Sequence, residues 1–303
     1  VKSKKLIVIQ GPTASGKTAL AIALAKQFET VIFSADSRQF FKEMSVGTAK
    51  PTLEEQAGIK HYFIDSHSVQ DPVSAADFEK EALAHLEQEF KQHEYIILVG
   101  GSGMFIDALC DGLDDIPNDE NLRNELSLQV KNEGLSKLLM ELKEKDVSYY
   151  DLVDKQNANR IIRAIEAIRL TGQPFSSLRK AQKKERFFEI NRYVINLPRE
   201  VLYERINLRA AQMFENNLIE EVKNLSPFRD LQSLNTVGYK EVFEYLDGKV
   251  SLEQAIEQVQ QNSRRYAKRQ LTWFRRNETN FWLKSQSTQE QEKEILQNLG
   301  ILP

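Results

Sequence analysis

Cysteine is all but missing from this chain: its 303 residues include one, Cys110. A single thiol excludes an intramolecular disulfide and any cysteine-based zinc cluster. Within Ile106-Asp107-Ala108-Leu109-Cys110 it reads as a small buried apolar residue, not a nucleophile. The four histidines, His61, His67, His85 and His93, have neither metal spacing nor a neighbouring cysteine, so no zinc site is indicated. No stretch approaches the ~18 consecutive apolar residues of a membrane span. The N-terminal Val1-Lys2-Ser3-Lys4-Lys5 leads into a short strand rather than a signal-peptide apolar region, so a cytoplasmic protein without a membrane partner is expected. No obligate protein partner is indicated, and nothing demands more than a monomer. An excess of positive charge is also lacking: 41 Lys and Arg face 44 Asp and Glu, for a net charge of −3. A nucleic-acid role therefore has to rest on local patches. Glycine is sparse, 13 residues against the ~21 of an average chain, yet eight of them fall at or before Gly112. The tight turns are concentrated in the first third.

What is present suffices for a sizeable core and one large or two moderate domains. In the first third, short apolar runs (Leu6–Ile9, Val31–Phe33, Tyr95–Val99) alternate with helical periods near 17–28 and 74–93. That alternation predicts an α/β fold, a parallel sheet with helices on both faces; the G-x-x-x-x-G-K-[ST] loop at 11–18 makes the expected core P-loop NTPase-like. From Pro117 to Arg186 the strand signals vanish and Leu122, Leu126, Leu138, Leu142, Ile161 and Ile165 recur at helical spacing, which predicts an α-helical insertion. A strand returns at Tyr193–Leu197, followed by helices at 199–224 and 252–276 and a last strand at 280–283. The expected division is a discontinuous core, 1–116 with 187–283, a helical insertion, 117–186, and a polar C-terminal tail, 284–303, outside the core.

Gly11-Pro12-Thr13-Ala14-Ser15-Gly16-Lys17-Thr18 fits G-x-x-x-x-G-K-[ST], follows an apolar strand and opens a helix. Backbone N–H groups wound around a helix N-terminus converge on one spot, Lys17 adds a point charge, and the Thr18 hydroxyl can hold Mg²⁺. A diphosphate or triphosphate is expected on Gly11, Thr13, Ala14, Ser15, Gly16, Lys17 and Thr18. A P-loop ATPase also needs an acid at the end of a later strand, but Tyr95–Val99 runs into Gly100-Gly101-Ser102-Gly103. Acids stand elsewhere, at Asp36 and Asp65. The cradle thus points to a reaction other than nucleotide hydrolysis.

Asp36, just past the second strand, faces the crevice at the carboxyl ends of the strands, where it can bind metal, orient a substrate or accept a proton. A simple Asp turn competes with that reading. Arg205 and Arg209, four residues apart on one helical face, can clamp phosphate oxygens, or else belong to a solvated face. Residues 157–192 hold nine basic side chains against three acids, and 264–276 hold six and none, with Tyr266, Trp273 and Phe274 interleaved. Each stretch alone is more often a solvated helix face. Together, on an acidic chain, they favour a nucleic-acid backbone.

In order and spacing, GPTASGKT, SADSRQFF, GTAKP (47–51), VGGSGMF (99–105), NANRIIRAIE (157–166), VGYKE (237–241) and AKRQLTWFRR (267–276) closely resemble the bacterial tRNA dimethylallyltransferases. The resemblance covers about residues 5–283. It implies transfer of a dimethylallyl group from dimethylallyl diphosphate to N6 of the adenosine on the 3′ side of the anticodon, with Mg²⁺ as cofactor near Thr18. By the same resemblance Asp36 is the general base, and Ser37, Arg38 and Gln39 contact the flipped adenosine and its neighbours. Ser102 stands where the family usually has threonine and keeps the hydroxyl; Phe105 stands where it usually has tyrosine and loses it. Arg209 would reach the leaving diphosphate, while Arg123 and Asn159, Arg160, Ile161, Ile162 and Arg163 would contact tRNA. Arg264, Lys268 and Arg269 of the second basic stretch are further tRNA candidates. Competing functions are a transferase acting on free adenine nucleotides, a P-loop kinase for a small metabolite, and a non-catalytic RNA-binding module.

Overall fold

The apolar runs of the first third become the middle of one parallel sheet. The computed structural model describes residues 3–180 and 182–303; Val1 and Lys2 of the N-terminal run, and position 181 of the expected insertion, lie outside the described residues. The strands are β1 (Lys5–Gln10), β2 (Ile32–Ser34), β3 (His61–Tyr62), β4 (Tyr95–Gly100), β5 (Glu189–Ile195) and β6 (Phe281–Leu283), in the order β3-β2-β4-β1-β5-β6. All pairings are parallel, with Leu6 opposite Ile96 and Ile190, and Ile32 opposite Ile97. Strand alternation sorts the side chains onto two faces.

On one face Ile7, Ile9, Ile97, Val99 and Ile195 pack with Leu20 and Leu24 of α1 (Lys17–Gln27). Their neighbours Leu6, Val8, Phe33, Ile96 and Leu98 are fully buried on the other. There Phe33, Phe40, Phe63, Phe78 and Phe105 interlock, with ring centroids 4.8 to 6.1 Å apart. Phe78 comes from α2 (Ala75–Glu89), which Ser74 opens with a capping box to Asp77, and Phe105 from α3 (Gly103–Asp111). Each such side chain contributes roughly 1.5 to 3 kcal/mol by leaving water. Phe105 is a core ring, in keeping with its lost hydroxyl.

By internal contacts the chain forms two compact units, Val1–Cys110 with Arg186–Pro303, and Asp111–Glu185. The second is helical: α4 (Glu120–Glu133), α5 (Ser136–Lys145), α6 (Val147–Leu152), α7 (Ala158–Thr171) and α8 (Phe175–Leu178). Leu126, Leu138, Leu142, Ile161 and Ile165 make its own apolar core. Asp146 caps α6 through the Tyr149 N–H and also accepts from Ser176, which ties α6 to α8.

The first unit continues with α9 (Arg199–Glu215), α10 (Leu218–Asn224), α11 (Tyr239–Leu246), α12 (Leu252–Phe274) and α13 (Thr288–Asn298). Two expectations need correction. The helix expected over 199–224 is broken at Asn217, whose left-handed φ of 67° ends one helix and starts another; asparagine tolerates that conformation. The tail from Lys284 is not outside the core. Its helix α13 places Ile295, fully buried, beside Leu24 and Ile7, and Leu296 is 5% exposed. The composition of the tail is polar because one narrow stripe of an otherwise solvated helix suffices for anchoring.

Candidate functional site

The phosphate loop sits between the end of β1 and the start of α1. Ala14 and Gly16 take left-handed φ values of 61° and 94°, the alternation that turns successive N–H groups toward one point. Gly16 caps α1 without a side-chain hydrogen bond, and no acid occupies the first turn, so the helix N-terminus stays open to an anion. Lys17 Nζ is held 2.7 Å from the Pro12 carbonyl. Desolvation pulls its pKa down to about 8; nearby Asp36 opposes the shift and nearby Arg209 adds to it. Two loop amides are already bonded: the Thr13 N–H donates to Gln270 Oε1 at 2.9 Å and the Ser15 N–H to the Pro12 carbonyl at 3.3 Å.

Thr13, Lys17 and Thr18 line a cavity of about 640 Å³ together with Asp36, Ser37, Arg38, Gln39 and Arg209. The topology dictates the meeting. β1 and β2 are parallel members of one sheet, so the segments that leave their carboxyl ends open onto the same crevice. Asp36 Oδ1 accepts the Arg38 N–H at 3.2 Å. The Asp-turn reading and the crevice reading are thus both realised in one residue. The Gln39 amide donates along the wall to the carbonyls of Thr48 and Ala49, both at 3.3 Å. Asp65, the other candidate acid, pairs with Lys50 at 2.5 Å and is not on the cavity wall.

Arg209 Nη2 donates to the Thr48 carbonyl at 3.2 Å, while its buried Nε has no partner among the described residues. Burial holds this guanidinium below its ordinary value, against the pull of Asp36 and Glu55. An enclosed cation with an unused donor is matched to an incoming anion. Arg205, one turn earlier, is exposed and outside the cavity wall, yet a Cβ placed on Gly16 would lie 3.9 Å from its Nη1. The pair flanks the phosphate loop from outside and inside.

Ser102 does not line the cavity. Its hydroxyl accepts the Ser37 N–H at 3.0 Å and donates to Ser37 Oγ at 3.1 Å, tying the turn after β4 to the Asp36 segment. Tyr266, on the wall, is a residue sequence reasoning passed over as part of a basic stretch. Burial and nearby Asp36 push its phenol up to about 12; Ser102, Arg38 and Arg269 oppose this. Burial also lowers the Arg38 guanidinium, which Tyr266, Asp36 and Tyr239 counter.

Three more wall or support residues were missed. Glu221 accepts the N–H groups of Ser45, Val46 and Gly47 at 2.7 to 3.0 Å, and the Tyr239 hydroxyl at 2.6 Å. A Cβ on Gly47 would fall 2.5 Å from the Tyr239 ring. The motifs GTAKP and VGYKE therefore meet at Gly47 and Tyr239, and Glu221, 174 residues from Gly47, holds both.

The expected tRNA residues fall in different places. In the helical unit Asn159 and Arg160 are exposed, at the start of α7 capped by Asn157. Ile161 and Ile162 are 0% and 5% exposed within that unit's core, so their side chains are closed to RNA and the expectation for these two is corrected. Arg123 and Arg163 converge on Glu166, which is fully buried, at 2.9 to 3.1 Å. On α12, Arg269 lines the cavity and Lys268 is exposed. Arg264 instead turns onto α9, bonded to Asn207 and facing the Tyr203 ring.

The two basic stretches also differ. In the first, Arg163, Arg169, Lys183, Lys184, Arg186 and Arg192 each pair with a carboxylate. Among the described residues no basic side chain of 264–276 does so; Arg269, Arg275 and Arg276 lie over aromatic rings.

The profile of the IPP transferase family matches residues 39–277. A protein of Bacteroides fragilis named tRNA dimethylallyltransferase 1 is 46% identical over 298 residues, 98% of either chain. This chain belongs to the IPP transferase family. The solved full-length tRNA isopentenylpyrophosphate transferase of Bacillus halodurans covers 98% of this family member with 96% of its own chain, at 38% identity and a TM-score of 0.72. A eukaryotic dimethylallyltransferase acting on tRNA shares the fold at 23% identity, with a TM-score of 0.83 over 99% of this chain and 81% of its own. Among the described residues, no helix is long and apolar enough to cross a membrane.

Proposed function

We propose that this IPP transferase moves a dimethylallyl group from dimethylallyl diphosphate to N6 of the adenosine on the 3′ side of a tRNA anticodon. The observation that carries this reading is a base and a diphosphate cradle on one cavity: Asp36 shares its wall with Lys17, Thr18 and Arg209. An exocyclic adenine amine is a poor nucleophile because its lone pair is delocalised. Asp36 takes the N6 proton as the N–C bond forms, a role typically worth ~10² to 10⁴-fold. The allylic C–O bond breaks, and its electron pair leaves with the diphosphate. Lys17, Arg209 and the loop N–H groups stabilise the charge that collects there. Ser102 acts behind the wall by holding Ser37, and thus the Asp36 segment, in place.

Among the described residues no group of three or more His, Cys, Asp or Glu side chains is arranged for a metal. The donors at the loop are the Thr18 hydroxyl and the substrate's own phosphate oxygens, a hard-oxygen set that suits Mg²⁺. Bound there, Mg²⁺ would neutralise charge on the leaving group. For the tRNA we assign the exposed residues Asn159 and Arg160 of the helical insertion, and Lys268 and Arg269 of α12. The adenine must leave the loop stack, at a cost of about a few kcal/mol offset by backbone contacts. Such chemistry and substrates fit a cytoplasmic enzyme.

The test is a transfer assay with radiolabelled dimethylallyl diphosphate, Mg²⁺ and an anticodon stem-loop bearing adenosine after the anticodon, with AMP and ATP as parallel acceptors. Label on the RNA alone is expected. Label on AMP or ATP would establish a free-nucleotide transferase instead, and no label on any acceptor would return the kinase reading.

A further inference from the structure

Gln270 is one of the few buried polar side chains of the sheet-bearing unit, 6% exposed, and each end of its amide is used. Its Oε1 accepts the N–H of Thr13 in the phosphate loop at 2.9 Å, and its Nε2 donates to the Gly101 carbonyl in the turn after β4 at 2.9 Å. These partners lie 257 and 169 residues away in sequence. The fit is close: a Cβ on Gly101 would fall 2.3 Å from Gln270 Nε2. The same helix end holds the stem of the loop a second time, because Asn280 bridges Gln10 and the Phe274 carbonyl.

The turn that Gln270 grips also carries Ser102, which holds the Asp36 segment through Ser37. One primary amide thus joins the diphosphate cradle to the chain of contacts behind the general base. We infer that Gln270 is a positioning residue: it fixes the phosphate loop relative to the turn bearing Ser102, and it reserves the Thr13 N–H so that the diphosphate is received by the amides after it. Because the Ser15 N–H is bonded as well, to the Pro12 carbonyl, the loop has fewer free donors for phosphate than the sequence motif suggests. Near-attack geometry tolerates little displacement, and a shift of about 1 Å between the cradle and the base can lower turnover ~10²-fold. This inference rests on the transferase reading above.

Gln270→Met keeps the length and volume of the side chain but neither polar group. The control is Gln291→Met, at another buried glutamine, on α13 and 3% exposed, whose amide donates to the Ser285 carbonyl ahead of that helix. Both variants are expected to lose a few degrees of Tm. Only Gln270→Met should raise the KM for dimethylallyl diphosphate and lower kcat, with a combined loss of about 10- to 100-fold in kcat/KM and a stem-loop Kd within about twofold of the parent. Equal kinetic effects of the two variants at equal Tm loss would overturn the proposal. So would parent-like kinetics of Gln270→Met. An inactive parent would instead refute the transferase reading and leave the geometry to a second measurement. There, the amide resonances of the unmodified protein are followed as inorganic diphosphate is added. Thr13 is expected to be protected from exchange before addition and to shift little, while the amides of residues 16–18 move. A Thr13 shift as large as theirs would show that the amide is not reserved.

Discussion

A Cβ built on Gly100 would lie 2.3 Å from the carbonyl oxygen of Ala35. Gly100 ends β4, and Ala35 immediately precedes Asp36. The strand end where a P-loop ATPase carries its acid is here closed by backbone, because Ala35 N–H donates to the Val99 carbonyl at 2.7 Å and its own carbonyl accepts from Ser102. Asp36, just past the end of β2, brings a carboxylate to the cavity wall instead; Glu241 and Glu244 line the same cavity. Asp36 shares the cavity wall with Lys17 and Thr18 of the phosphate loop.

If Asp36 is the base, Asp36→Asn removes proton acceptance while keeping the acceptor oxygen for the Arg38 N–H. Turnover should fall at least ~10²-fold with stem-loop affinity nearly intact. Single-turnover transfer and filter binding measure the two, and near-normal turnover would remove Asp36 from that role.

The Lys17 ammonium has a pKa lowered to about 8 from 10.5. Between those values the unfolded chain keeps a proton that the folded chain has released, so this group's contribution to stability rises with pH across the window. An anion on the loop favours the charged form and raises the value again. Binding of dimethylallyl diphosphate at about pH 8.5 should therefore take up a proton, and at about pH 6.5 Lys17 should contribute none. Calorimetry in two buffers of different ionisation enthalpy reads the uptake; its absence at the higher pH would contradict an enclosed Lys17.

Replacing residues 117–186 by a short flexible linker should weaken stem-loop affinity far more than diphosphate affinity, if the helical insertion serves the RNA. Equal losses in the two titrations would contradict a dedicated RNA-binding unit.

Ile295 packs in the main core from the C-terminal helix. Ile295→Ala should cost about 2 to 5 kcal/mol in a denaturant titration, whereas the exposed Leu302→Ala should fall within about 0.5 kcal/mol of the parent. An unchanged midpoint for Ile295→Ala would restore the tail to the surface.

The sequence by itself determined whatever depends on near neighbours. The phosphate loop was legible because its strand, glycines, Lys17 and Thr18 lie within a few residues, and each is needed for a local turn or charge. Alternating apolar runs gave the parallel sheet, and helical spacing gave the helical insertion, since both periods come from backbone geometry. Asp36 could be placed at the crevice because parallel strands share one carboxyl edge. Tertiary structure decided what depends on distant segments. Composition placed α13 outside the core, because a few buried side chains are lost in the average of a polar helix. The first basic stretch looked free until folding brought Glu79, Asp107 and Glu141 to its side chains. Ile161 and Ile162 shared a motif with exposed residues but not a face of the helix. Gln270 had no local signal, because its two partners meet it only when α12 closes against the ends of β1 and β4.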